Sequence, residues 1–249
     1  MIIIKNNKEI DLMRSAGRIV AETLLLVEKE VKPGITTAEI DRIAEEFITK
    51  HGAKPSFKGL YGFPASLCIS VNEQVVHGIP GGYVLKDGDI VSVDCGAYLN
   101  GFHGDAARTF AVGNVSEEAN KLIKVTEQSF FKGIEYAKVG NRLTDISHGI
   151  QSYIEASGFA VVRDFVGHGI GRVVHEDPDV PNFGKPGRGP KLAQGMALAI
   201  EPMVNLGSYK VKTLNDDWTV VTSDGSLSAH YENTIVILPD GPEILTLIK

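Results

Sequence analysis

The chain has 249 residues, 43% of them hydrophobic and 22% charged, which suits one large globular domain or two small ones with a real core. Its formal net charge of -6 argues against holding nucleic acid through phosphates, which needs a basic surface. No segment is long and apolar enough to span a bilayer, and Lys5 cuts the opening Met1-Ile2-Ile3-Ile4 run short of a secretory signal.

In chain order, Ile10, Met13, Val20 and Leu24 recur at helical spacing and predict an amphipathic helix over about 7–30, broken by Pro33-Gly34. Thr36 followed by Glu39 is a capping box, and a second helix runs from there to about Lys50, closed by Gly52. Strand-like segments follow at 67–71, 89–99 and 102–112, with the hairpin signal Asn100-Gly101 between the last two. Ser116 caps a long helix reaching about Ala137. The two cysteines, Cys68 and Cys95, form no Cys-x-x-Cys pair. That excludes a thiolate zinc finger and reads as free thiols in a reducing cytosol.

The pattern then restarts. At one constant offset Gly34 falls on Gly140, Ile40 on Ile146, Phe47 on Tyr153 and Gly52 on Gly158. One residue further along, Leu85 falls on Leu192, Gly88 on Gly195 and Asp94 on Glu201. Two amphipathic helices can align by chance, but here a helix and an acidic strand align together. The reading is an α/β domain over 1–249, with halves of about 1–125 and 126–249 around a pseudo-twofold axis. Helices cover the outside and antiparallel sheet lines the middle.

Asp94 interrupts an apolar strand, where a charge is costly unless compensated. A two-residue turn at Asn100-Gly101 pairs Leu99 with Phe102 and hence Gly96 with Asp105. Asp94 and Asp105 then become diagonal neighbours on one face, about 7 Å apart or somewhat less. Two anions that close repel unless a cation lies between them, and Gly96 is expected to leave room for one. Glu201 ends a second apolar run and Glu232 lies at the start of a third. Any one buried acid is more often a hydrogen-bonded structural residue, but four in two related pairs point to a metal. His168 stands in Gly167-His168-Gly169-Ile170-Gly171, where the glycines are expected to let backbone crowd a ligand. His77 has a similar setting and His175 follows seven residues after His168. His51, His148 and His230 lack that context, and His103, two residues before Asp105, stays unassigned. Four carboxylates and an imidazole form a hard ligand set suited to Mn, Fe or Co more than to zinc. Two such ions would activate water and polarise a carbonyl, which implies hydrolysis of an amide or ester.

Taken together, Asn72 to Pro80, Asp94 and Asp105, Gly167 to Gly171, His175-Glu176-Asp177-Pro178, Ile200-Glu201-Pro202 and Tyr231-Glu232 resemble the type I methionine aminopeptidases over nearly the whole chain. The resemblance implies the pita-bread (creatinase/aminopeptidase) fold, two divalent ions and release of the initiator methionine from nascent or deformylated polypeptides with a small second residue. It implies that Asp94 chelates the first metal, that Asp105 and Glu232 bridge both, and that His168 and Glu201 bind the second. Glu201 would also handle protons for the attacking water. His77 would assist the leaving amine and His175 would stabilise the oxyanion. Phe63, Cys68, His77 and Trp218 fall at positions of the methionine pocket, although ordinary core packing explains each one alone. A monovalent cation (Na or K) near Asn72, Gln74 and Ser228, a transient ribosome contact, a monomer, a cytoplasmic setting, and no membrane or specific nucleic-acid partner complete the family's picture. The sequence departs from the family pattern at Val174, where an aromatic residue is common, at Asn233, where histidine is common, and at Phe63, where some relatives have tyrosine. An X-prolyl peptidase shares the five ligands but carries a large extra N-terminal domain. A non-catalytic pita-bread binding module typically loses ligands.

Overall fold

The computed structural model describes residues 1–248. Four helices pack on antiparallel sheet: α1 (Asn7–Glu30), α2 (Thr37–Lys50), α3 (Glu117–Ile134) and α4 (Leu143–Ala156). The strands that position the site are β1 (Leu67–Val71), β2 (Ile90–Leu99), β3 (Phe102–Ala111), β4 (Gly167–Gly169), β5 (Glu176–Val180), β6 (Ala197–Ile200), β7 (Met203–Asn205), β8 (Ser228–His230), β9 (Asn233–Leu238) and β10 (Gly241–Ile244). Among the described residues, no helix is long and apolar enough to cross a membrane.

Thr36 and Ser116 cap α2 and α3 as the sequence places them, and Asn6 caps α1. The Asn6 side chain accepts from Glu9 N while the Glu9 carboxylate accepts from Asn6 N, a reciprocal box that satisfies two otherwise unpaired donors. α1 buries Ile10, Met13, Val20 and Leu24, the stripe read from the sequence. At α2 only half of the expected box forms. Thr36 Oγ1 accepts from Glu39 N, but the Glu39 carboxylate turns outward to Arg42 at 2.6 Å, a charged donor that outcompetes the cap amide. α3 starts one residue after its Ser116 cap and ends at Ile134, slightly short of the expected Ala137.

β2 and β3 form the predicted hairpin. Asn100 (φ 51°) and Gly101 (φ 90°) supply the two positive φ angles that a tight two-residue turn needs. The register pairs Leu99 with Phe102 and Gly96 with Asp105. β1 flanks β2 on its other edge and sets Cys68 opposite Asp94. The second sheet runs β10-β9-β6-β4-β5. A smaller sheet pairs β7 with β8 and with the short strand Ala160–Val161. A fourth sheet joins Gln74–Val76, Val220–Thr222 and Val211–Thr213, and the strands of all four pair antiparallel with these neighbours.

The two halves repeat at the level of single backbone bonds. Gly34 N donates to Leu85 O at 2.8 Å, and Gly140 N to Leu192 O at 2.9 Å. Thr37 N donates to Tyr83 O and Leu143 N to Pro190 O, both at 3.0 Å. α1 and α2 bury Val20, Leu24, Ile40 and Ile48 against β1 and β2, while α3 and α4 bury Leu122, Phe130, Ile146 and Ile150 against the second sheet. Between them Ile10, Met13, Phe102, Ile170 and Val236 form a joining cluster. The sheets meet edge to edge where Ala107 N donates to Glu232 O and Glu232 N to Ala107 O, and Asp105 N and O both bond to Thr234 Oγ1.

Candidate metal centre and substrate cleft

The ligand candidates are delivered by strands on either side of this seam. Asp94 and Asp105 come from the hairpin, His168 from β4, Glu201 from the residue after β6, and Glu232 from the residue before β9. All line one cleft of about 520 Å³ together with His77, His175, Phe63, Cys68 and Trp218. The site residues singled out by sequence therefore share one cavity.

The carboxyl groups crowd in a low-dielectric setting. Burial pushes the Asp94 carboxyl up to about 7, and burial with the neighbouring Glu232 and Asp94 charges pushes Asp105 well above the usual range. Glu201 and Glu232 are raised in the same direction, first by burial and then by the neighbouring acids. The nearby buried cation is Arg108, which reaches in from behind. It donates to Glu232 O at 2.5 Å, to Ala107 O and to Asn233 Oδ1, and stacks over Tyr231 with 4.3 Å from its carbon to the ring centre. Asn233, the departure after the last glutamate, thus anchors that guanidinium, and its Oδ1 also accepts from Thr246 Oγ1 at 3.0 Å. One guanidinium bound mainly to carbonyl oxygens cannot neutralise four acids.

The donor set fits metal ions. Asp94 Oδ1, Asp105 Oδ1 and Glu232 Oε1 are buried without a hydrogen-bond partner, a cost that buried acceptors rarely bear unless a cation meets them. Ligand atoms of Asp105, His168 and Glu232 lie within 4.8 Å of one another, and so do those of Glu201, His230 and Glu232. Two groups sharing Glu232 make a dinuclear metal-binding site. His168 Nδ1 meets Gly169 O at 2.8 Å, and a carbonyl only accepts, so Nδ1 carries the hydrogen. The Nε2 lone pair then faces Glu201 Oε1 at 3.7 Å and Asp105 Oδ2 at 4.0 Å. Burial holds the His168 ring neutral, at about 4.

The glycines serve a different purpose from the one expected. A β-carbon at Gly169 would lie 2.1 Å from Asp177 O, and one at Gly167 would lie 2.3 Å from Ala199 O. They admit the neighbouring strands β5 and β6, not a ligand. At Gly96 a β-carbon would lie 2.7 Å from Ser56 Cβ and 2.9 Å from Phe57 Cε1, so the missing side chain admits these two residues.

The rest of the cleft is apolar with a few imidazoles. Phe63 meets the Trp218 ring edge-on at 5.1 Å, and Phe57, Ala65, Cys68 and Val174 pack with them. Val174, the departure from the family pattern, is buried in this cluster. His77 adopts a positive φ of 58°, which aims it between Phe165 and Trp218. Burial lowers it to about 4, so it is a neutral imidazole near pH 7. His175 lies beside His168, 4.5 Å between ring centres, and stacks on Tyr61 at the exposed mouth. His103 turns away from the cleft to Ser56 Oγ at 2.8 Å. Asn72, Gln74 and Ser228 lie outside the cleft, where Ser228 N donates to Asn72 O and Gln74 Oε1 accepts from Val71 N.

Sequence reasoning missed His230. Its ring is buried and its Nε2 lies 3.8 Å from Glu201 Oε2 and 3.9 Å from Glu232 Oε2. The available signal was its place two residues before Glu232. Which face it takes depends on the pairing of β8 with β7, invisible in a three-residue strand.

Comparison with known proteins places this arrangement. The model of metallopeptidase family M24 matches residues 11–239. A methionine aminopeptidase of Clostridium perfringens is 78% identical over the full length of both chains. The crystal structure of a methionine aminopeptidase from Thermotoga maritima superposes with a TM-score of 0.98, at 49% identity and full coverage of both chains. The prolidase from Pyrococcus horikoshii shares the fold alone, at TM-score 0.81 and 24% identity, and this chain covers 64% of it. The paired acids of the seam, the imidazoles around them and these likenesses lead to one assignment: the chain belongs to metallopeptidase family M24, and within it to the type I methionine aminopeptidases.

Proposed function

We propose that this chain removes the N-terminal methionine from nascent or deformylated polypeptides whose second residue is small, by metal-dependent hydrolysis of the first peptide bond. The observation that carries the reading is one cavity in which the apolar wall of Phe63, Cys68 and Trp218 adjoins a dinuclear acid–imidazole centre. Asp94, Asp105, His168, Glu201 and Glu232 would hold two divalent ions, with Mn, Fe or Co suited to so oxygen-rich a set. When bound, the ions supply Lewis-acid polarisation and lower the pKa of water.

The chain's own groups do the rest. Phe63, Trp218 and Cys68 bury the methionine side chain, the aromatic edges matching a polarizable sulfur. Glu201 keeps 14% of its side chain exposed to the cleft, so it is placed to carry a proton between water and the departing amine. His77, held neutral between Phe165 and Trp218, hydrogen-bonds the substrate near the scissile amide. His175, at the mouth beside His168, donates to the carbonyl oxygen as charge develops, a contribution of about 3 kcal/mol for such donors. The 1–249 chain works as one catalytic unit of two halves, in the cytoplasm and as a monomer. A transient ribosome contact and a monovalent ion at Asn72, Gln74 and Ser228 belong to the same proposal.

The test compares Met-Gly-x, Met-Leu-x and Ala-Pro-x peptides with metal-loaded protein, and uses Asp105→Ala as the blank. Free methionine released from Met-Gly-x alone is the expected result. Cleavage of Ala-Pro-x instead would assign an X-prolyl peptidase. No cleavage with metals bound would leave a binding module.

A further inference from the structure

We infer that His230 is a sixth protein ligand of the dinuclear centre, a second imidazole nitrogen on the ion held by Glu201 and Glu232. The inference rests on the two-metal reading above and adds to it a residue outside the five-ligand pattern.

Among the described residues, the His230 ring offers an unpartnered nitrogen. The ring is 2% exposed, and Nε2 is buried without a hydrogen-bond partner. A buried ring nitrogen left unpaired is costly, and native structures seldom tolerate it without a ligand, an ion or water. The two carboxylates stand nearby but beyond hydrogen-bond reach of Nε2, at 3.8 and 3.9 Å.

The spacing is that of co-ligands. Donors bound at about 2.1 Å to one ion lie no more than roughly 4.2 Å apart. Both His230 distances fall within that limit. A ring serving only to orient the carboxylates would be expected to come within hydrogen-bond range of them. His168, a ligand in the five-residue reading, stands in the same relation to its acids, at 3.7 and 4.0 Å. Glu201 lies between the two rings, with Oε1 toward His168 and Oε2 toward His230.

The backbone beneath the ring is fixed. β8 pairs with β7 so that His230 stands opposite Met203, two residues after Glu201. His230 N donates to Thr109 Oγ1 at 2.9 Å, and the His230 carbonyl accepts from the same hydroxyl at 2.8 Å. Bonds on both sides of the residue hold the ring's starting point, as expected of a preorganised ligand.

The test uses full-length protein titrated with Co²⁺, comparing wild type, His230→Gln and His230→Ala. Glutamine keeps a hydrogen-bond donor of similar reach but offers no imidazole. The readouts are calorimetric affinity and stoichiometry, the visible Co²⁺ absorption, and hyperfine-shifted imidazole N–H signals in proton NMR. Wild type should bind two ions and show signals from two histidines. His230→Gln should lose one of those signals, change the absorption, and weaken one of the two ions roughly tenfold or more, with unchanged far-UV circular dichroism. Two ions bound by wild type with one histidine signal, or a His230→Gln protein matching wild type in affinity and spectrum, would overturn the inference and leave the two-metal reading intact. Failure of wild type to bind two ions would overturn both.

Discussion

Replacing Lys5 by methionine tests how the cleft wall is held. Lys5 leaves the N-terminal arm, where its amide donates to Gly195 O at 2.8 Å, and buries its ammonium against Glu176 Oε2 at 2.5 Å. The side chains are 2% and 3% exposed, so solvent screens the pair little. The other oxygen of Glu176 accepts from Arg172 N at 2.8 Å. Methionine keeps the bulk and removes the charge, leaving a buried carboxylate with one amide donor. Removing one partner of such a pair costs about 3–5 kcal/mol, and the surviving amide bond places the expectation at the lower end, ~3 kcal/mol. For a chain of this size that is a fall of about 6–12 °C in the thermal midpoint. Glu176 adjoins His175, so turnover of Met-Gly-x should also fall, chiefly in kcat. Urea denaturation of metal-free protein gives the stability, with the double variant Lys5→Met/Glu176→Met as control. The double variant should recover most of the loss, because an apolar pair replaces a buried ion pair at little net cost. A single variant within about 1 kcal/mol of wild type, or a double variant no better than the single, would refute the argument.

Further outcomes follow from the same geometry. Gly171→Ala would bring a β-carbon to 2.5 Å from Lys5 Cε and 2.6 Å from Glu176 Oε1, so it should destabilise by about 1–3 kcal/mol, read by the urea midpoint. Trp218→Ala removes a wall of the apolar pocket and should raise KM for Met-Gly-x more than it lowers kcat. Without metal, the Asp94 carboxyl held up at about 7 contributes stability that is full below its unfolded pKa and lost as pH rises through about 7. The thermal midpoint in EDTA should therefore fall between about pH 4 and pH 7 on this group's account. Added Mn²⁺ competes with those protons and should reverse the slope over the same interval. A metal-independent slope would count against the acid cluster as its origin.

Much of this was legible in the chain because it is local. The Thr36 and Ser116 caps, the Asn100-Gly101 turn and the apolar run before Asp94 each act within a few residues, and the hairpin register follows from the turn. The ligands could be read because glutamate and aspartate beside apolar strands are expensive wherever the strands go. His230 and the Lys5–Glu176 pair were not legible for the opposite reason. Each depends on a contact between segments distant in sequence, and short strands such as β4, β7 and β8 carry too few residues to show a face. The glycines around His168 were seen, but not that their purpose is to admit Asp177 O and Ala199 O.

The seam between the sheets has a mechanical consequence. Asp94 and Asp105 belong to one half and His168, Glu201 and Glu232 to the other, while Ala107 and Glu232 exchange backbone bonds beside them. Ions seated there rivet two bodies together, and their binding free energy becomes resistance to parting along that line. Pulled across the halves, the loaded protein should yield at a higher force than the stripped one, and the break should begin at the chemistry itself. The place where a peptide is cut is also the place where the enzyme is fastened.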